Sequence, residues 1–143
     1  LAAGGLVQIF NTPPGRFEKT VADRTVNRLQ IKIRNIPLLV ELARTPTEHR
    51  RGLSGRGALG QFEGMLFVYG KDTRPAFWMK NMQFPLDILW IDRNLQVAEI
   101  TPNLNPDTYP ATFSPSRPIR YVLEINGGSS ADFNIRPGDW LTI

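Results

Sequence analysis

The run Phe77-Trp78-Met79-Lys80-Asn81-Met82, with Pro85-Leu86-Asp87 close behind, gathers an indole, an amine and an amide within a few positions. In an extended segment Trp78 and Lys80 share one face, and Phe77, Met79 and Asn81 share the other. An aromatic plate beside an ammonium and a carboxamide suits a small polar ligand, the ring giving contact area and the polar groups fixing orientation. The structural account of the same residues is core filling by Trp and Met, a Lys that snorkels to water, and a turn at Asn81.

Two carboxylates stand in apolar surroundings. Asp87 interrupts Leu86-Asp87-Ile88-Leu89-Trp90-Ile91, a run apolar on both faces, and Glu124 interrupts Tyr121-Val122-Leu123-Glu124-Ile125. A buried carboxylate has to be paired, hydrogen-bonded or protonated, because an isolated buried charge is too costly. Asp87 and Glu124 could form a pair of the glycosidase kind, one as acid and the other as base or nucleophile, with Lys80 as an electrostatic stabiliser. The structural alternative is an acceptor that fixes a loop through backbone N–H or Arg donors. His49, beside Arg50 and Arg51, reads as a surface residue of a short helix. The serines lack a nucleophile-elbow context, and the glycine-studded stretch 52–64 lacks the Gly-Lys-Thr/Ser ending of a phosphate cradle.

The whole chain bounds these readings. Its 143 residues amount to one domain, large enough to bury a core without a staple. Cysteine is absent and His49 is the single histidine, so thiolate sites and His-rich cages are excluded, and neither a metal nor a cofactor is expected. Residues 1–56 carry ten Lys or Arg against four Asp or Glu, while 57–143 carry seven against nine. The basic residues are scattered singly, a solvated surface rather than a nucleic-acid footprint. No apolar run approaches the ~18 residues that a membrane-spanning helix needs.

The elements that must position these groups are mostly strands. Residues 1–27, broken by Pro13-Pro14-Gly15, read as an irregular lead-in to a single domain over 28–143. Leu29–Ile33 alternates as a half-buried strand. A turn at Asn35 and Pro37 leads to a second strand at Leu38–Ala43. Thr45-Pro46-Thr47-Glu48 is a capping box with Pro at the first helical position, starting a helix over about 46–51. Further strands are expected at Met65–Tyr69, Ala76–Lys80, Leu86–Ile91, Gln96–Ile100, Arg120–Ile125 and Trp140–Ile143, with a hairpin turn at Asp92-Arg93-Asn94 and a short helix at Ser129–Phe133. Residues 102–118, with five prolines, show no period and read as a long loop. Short strands at close intervals predict a mostly-β (α+β) fold, a compact barrel-like antiparallel or mixed sheet with one or two short helices.

In order, Gly52-Leu53 with Arg56, Gly64-Met65-Leu66-Phe67, Phe77-Trp78-Met79-Lys80-Asn81, Pro85-Leu86-Asp87-Ile88, Val122-Leu123-Glu124 with Gly127, and Gly138-Asp139 resemble the domain-of-unknown-function 192 family. The resemblance runs from about Ile36 to the C-terminus. Two departures stand out: Ser54 where the family usually has Met, and Met82 where it usually has Thr. The resemblance implies a compact mostly-β domain, often made with a signal sequence, and implies no established reaction or cofactor. With it, Leu1-Ala2-Ala3-Gly4-Gly5 is read as the remnant of a removed signal peptide, giving an extracytoplasmic (periplasmic or secreted) address, with the cytoplasm left open.

The leading expectation is a non-catalytic module binding a saccharide or cell-envelope fragment. Its site would be lined by Trp78, Lys80 and Asn81, with Arg56, Asp87 and Glu124 as supports or contacts. The rivals are a hydrolase using Asp87, Glu124 and Lys80, and a purely structural or protein-interaction domain.

Overall fold

The computed structural model describes residues 27–143; the lead-in read at 1–27, save Asn27, and the reading of residues 1–5 as a signal-peptide remnant fall outside them. In chain order the elements are β1 (Arg28–Ile33), β2 (Ile36–Ala43), α1 (Pro46–Arg51), β3 (Glu63–Thr73), β4 (Phe77–Trp78), β5 (Leu86–Ile91) and β6 (Val97–Leu104). A 3-10 turn at Pro106–Thr108 follows, then β7 (Thr112–Phe113), β8 (Ile119–Asn126), α2 (Ser129–Asp132) and β9 (Leu141–Thr142). Seven strands make one curled, half-barrel sheet in the order β6-β5-β8-β3-β2-β1-β9, and β4 with β7 forms a separate two-stranded ribbon. The fold is mostly β with two short helices, as the strand spacing predicts.

Alternation along the strands gives the sheet two apolar faces. One carries Ile31, Ile33, Val40, Leu66, Leu89, Ile91, Leu123 and Ile125. The other carries Met65, Phe67, Leu86, Ile88, Trp90 and Val122, packed with Leu53 and Met79 from outside the sheet. β5 is therefore buried at every position, which is why its sequence is apolar in both registers. The Trp90 indole N–H keeps a partner by donating to Thr101 Oγ1 at 2.8 Å. At one end the sheet edges are linked: Gln96 bridges Trp140, and Leu141 N–H donates to Leu95 O at 2.8 Å.

β2 and β3 are parallel neighbours, so the chain must cross over between them, and the crossover carries α1. Both halves of the capping box form: Glu48 N–H donates to Thr45 Oγ1 at 3.2 Å, and the Glu48 carboxylate accepts from Thr45 N–H at 3.0 Å. Gly52 ends the helix at φ +47°, in a region that favours glycine, and a side chain there would rest on Phe67. The helix thus stops directly above β3.

Three local expectations need correction. The first hairpin turns at Arg34-Asn35, with Ile33 opposite Ile36, so Pro37 lies inside β2 opposite Lys32. The strand expected over Ala76–Lys80 ends at Trp78, because Asn81 takes a turn conformation at φ +57°. Residues 102–118 are only partly loop: β6 runs on to Leu104, and Thr112–Phe113 pairs with β4.

Candidate functional site

A cleft of about 630 Å³ opens where α1 and the residues after it meet the 76–82 segment over the β3–β8 part of the sheet. His49, Arg50 and Arg51 come from α1, Phe67 and Tyr69 from β3, Phe77 and Trp78 from β4, Lys80 and Asn81 from the following turn, and Glu124 from β8. The two chain segments beside it are clasped. Ser54 Oγ donates to Lys80 O at 2.9 Å, and Gly55 N–H donates to Asn81 O at 2.9 Å. Asn81 owes its place partly to backbone shape, since Asn is among the few non-glycine residues that accept a positive φ readily.

Trp78 is about half exposed. Lys80 Nζ stands 5.2 Å from its ring centroid, and Tyr109 meets the indole edge-on at 5.4 Å. Trp78 and Lys80 thus approach each other, as alternation predicts, although the strand itself has ended by Lys80. Met79 is fully buried in the core, and Phe77, which also borders the cleft, packs edge-on against Phe67 and Trp90.

Glu124 lies opposite Met65 on one side and Ile88 on the other, inside the apolar face that carries Phe67 and Trp90. Its Oε2 is the one buried side-chain polar atom without a hydrogen-bond partner among the described residues. Burial pushes its carboxyl up to about 8, so at neutral pH it is mostly a protonated, uncharged acid. Burial, with Glu124 nearby, also pushes the Tyr69 phenol up to about 12. Gly64 lets β3 approach β8 here, because a Cβ on it would lie 2.7 Å from Glu124 O.

Asp87 is differently placed. It sits across from Ile125 and alternates with Ile88, so its side chain leaves the sheet on the face opposite Glu124. Oδ1 accepts from Asn103 N–H at 2.8 Å and Gly128 N–H at 2.9 Å, and Oδ2 accepts from Ser130 N–H at 2.8 Å and from the Ser130 hydroxyl. The carboxylate stitches β5 to the end of β6 and the start of α2. It does not line the cleft, and the two acids do not face one site as an acid–base pair would require.

Arg56 does not line the cleft either. It grips Glu41 of β2 through two 2.7 Å hydrogen bonds, a bidentate fork that anchors the loop after α1. Hydrogen bonding from Arg56 holds the Glu41 carboxyl below the ordinary range. The structure therefore brings together Trp78, Lys80, Asn81 and Glu124, and leaves Arg56 and Asp87 outside.

Sequence reasoning misplaced His49. Its ring is half-buried, Nε2 lies 2.9 Å from Ala43 O, and the ring packs 4.6 Å from Tyr69 and 5.9 Å from Phe67. A carbonyl only accepts, so Nε2 carries the hydrogen. In a helix of six residues only the contacts with β3 reveal which way the imidazole turns. The aromatic spacing Phe67-x-Tyr69, two residues facing one way on β3, was the available signal.

A solved structure from Sinorhizobium meliloti 1021, described as a "putative transcription regulator", is 33% identical, with a TM-score of 0.77 over 80% of this chain and 92% of that one. A protein of unknown function from Novosphingobium aromaticivorans DSM 12444 is 33% identical, with a TM-score of 0.75 over 81% and 85%. No curated protein matches the chain. The family model DUF192, described as "Uncharacterized ACR, COG1430", matches residues 28–143, all of the described residues but Asn27. The match reaches back through β1, beyond the stretch from Ile36 that carries the resemblance, and the chain belongs to the DUF192 family.

Proposed function

We propose that the domain is a non-catalytic binding module that takes a saccharide or a cell-envelope fragment in the cleft between α1 and the 76–82 segment. The observation that carries this reading is the combination, in one cleft, of a half-exposed Trp78 and the unpartnered Glu124 carboxyl. A flat aromatic face matches the apolar face of a sugar ring. A buried polar atom left without a partner in the fold is satisfied when a ligand oxygen reaches it. The hydrolase reading draws no support from the register, because Asp87 is consumed by four hydrogen bonds on the far face. An address outside the cytoplasm belongs to the same proposal and rests on the family resemblance.

A thermal-shift panel of neutral and acidic glycans, peptidoglycan fragments and nucleotides tests the reading, run beside Lys80→Ala and Trp78→Ala. A ligand at one hundred times its Kd stabilises the fold by about 2.7 kcal/mol. A saccharide shift that both variants weaken supports the proposal. No shift with any saccharide or envelope fragment overturns it.

A further inference from the structure

We propose that the cleft selects an acidic saccharide, with the sugar ring over Trp78, a ring oxygen on the Glu124 carboxyl and the acid group on Lys80, Arg50 and Arg51. This names the ligand class of the same cleft and rests on the saccharide reading above.

Three lines of geometry converge on it. The cleft is lined by three cations and a single acid, and that acid is at the buried end of the set. Among the described residues, Arg50, Arg51 and Lys80 make no carboxylate contact within 4 Å. Glu41 and Glu48 both feel Arg51 at a distance, but Glu41 is already held by Arg56 and Arg28, and Glu48 by the N–H groups of Arg44 and Thr45. The rim therefore carries unspent positive charge where a planar carboxylate or a sulfate would meet guanidinium groups.

The second line is the platform itself. Lys80 Nζ is drawn over the Trp78 ring, so a neutral sugar that stacks there must displace a cation without replacing the attraction it loses. An acidic sugar draws the same ammonium onto its own charge and uncovers the ring in doing so. The arrangement favours the anion over its neutral counterpart.

The third is the floor. A protonated Glu124 donates a hydrogen bond to a ligand oxygen and brings no negative charge near the acid group. Once ionised it has no proton to give and repels an anion. The groups that line the cleft with Glu124 are His49, Arg50 and Arg51 from the α1 side, Tyr69 from β3 and Lys80 from the turn after β4. Tyr69, pushed up to about 12, titrates far above the window in which Glu124 does. The Glu124→Gln amide keeps a donor at every pH and so separates the contribution of Glu124 from that of its neighbours.

Isothermal titration of the 143-residue chain with methyl β-glucuronide and with methyl β-glucoside tests the proposal, with citrate as an anion that is not a sugar. The expected result at about pH 6.5 is glucuronide binding roughly tenfold or more tighter than glucoside, the worth of one well-placed charged contact. Arg51→Gln and Lys80→Gln each lower the ratio of glucuronide to glucoside affinity. Glucuronide affinity falls above about pH 8 in the unmodified chain, and stays flat in Glu124→Gln. Equal affinity for the two glycosides overturns the acid selection and leaves the saccharide reading standing. Binding of neither overturns the acid selection, while the saccharide reading stands or falls on the wider panel. Citrate binding as tightly as glucuronide overturns the proposal by showing that charge alone is read.

Discussion

Asp87 and Glu124 occupy adjacent strands of one sheet and opposite faces of it, Asp87 across from Ile125 and Glu124 across from Ile88. Two acids that look equivalent in sequence therefore have opposite fates. One is saturated with donors, a fixture of the fold. The other is uncharged at neutral pH and unpartnered, facing a cleft.

The first prediction separates these roles. Asp87→Ala leaves the N–H groups of Asn103, Gly128 and Ser130 without their acceptor, and destabilises the domain by about 3 kcal/mol, as expected for losing charged hydrogen bonds in a buried place. Chemical denaturation measures it. A loss below about 1 kcal/mol would mean that water replaces the carboxylate without difficulty.

Glu124→Gln has a pH signature instead. The Glu124 carboxyl sits near 8 when folded and near 4.5 when exposed. Below 4.5 both states hold the proton. Between 4.5 and about 8 only the folded state keeps it, so raising the pH favours unfolding, by at most about 1.4 kcal/mol per pH unit. Above 8 the contribution levels off. Denaturation of the two proteins across this range should show the native chain losing stability relative to Glu124→Gln. Parallel curves would show that Glu124 titrates normally.

Gly64→Ala tests the close approach of β3 to β8. The new methyl meets Glu124 O at 2.7 Å and Ile125 Cγ2 at 3.1 Å, contacts that a backbone carbonyl cannot relieve by rotating. A loss of about 1–3 kcal/mol is expected, typical of overpacking, together with a weakened ligand response because Glu124 moves. Unchanged Tm and unchanged binding would show that the strands separate freely.

Thr45→Ala removes half of the capping box and is expected to cost about 1 kcal/mol. Because α1 carries His49, Arg50 and Arg51 into the cleft, the same change should weaken binding of an acidic glycan while leaving tryptophan fluorescence of the folded core as it was. Calorimetry of the variant reads both effects. Affinity untouched by the lost cap would place the α1 cations outside the binding surface.

Much of the frame was legible because it is local. Alternation in Leu29–Ile33, the capping box at Thr45–Glu48 and the turn at Asp92, whose carboxylate accepts from Asn94 and Gln96 N–H, are each specified within a few residues. What was not legible depends on register. Which face Asp87 and Glu124 take relative to each other is set by the pairing of β5 with β8, more than thirty residues away. His49 turns inward because Phe67 and Tyr69 receive it, and a single helical turn and a half carries too little periodicity to show that. β7 was invisible for a similar reason: two residues, Thr112 and Phe113, are a strand only because β4 lies beside them. Arg56 was legible as a charged residue in a matching block, but its partner Glu41 is on another strand.

At neutral pH the floor of the cleft is an uncharged acid with no hydrogen-bond partner among the described residues. A pH titration of the Glu124 side-chain carboxyl by carbon-13 NMR reads it directly. The midpoint is expected near 8, moving higher when an acidic glycan that accepts a hydrogen bond from the Glu124 carboxyl is bound. A midpoint at the ordinary carboxylate value of about 4.3, unmoved by any glycan, would contradict it.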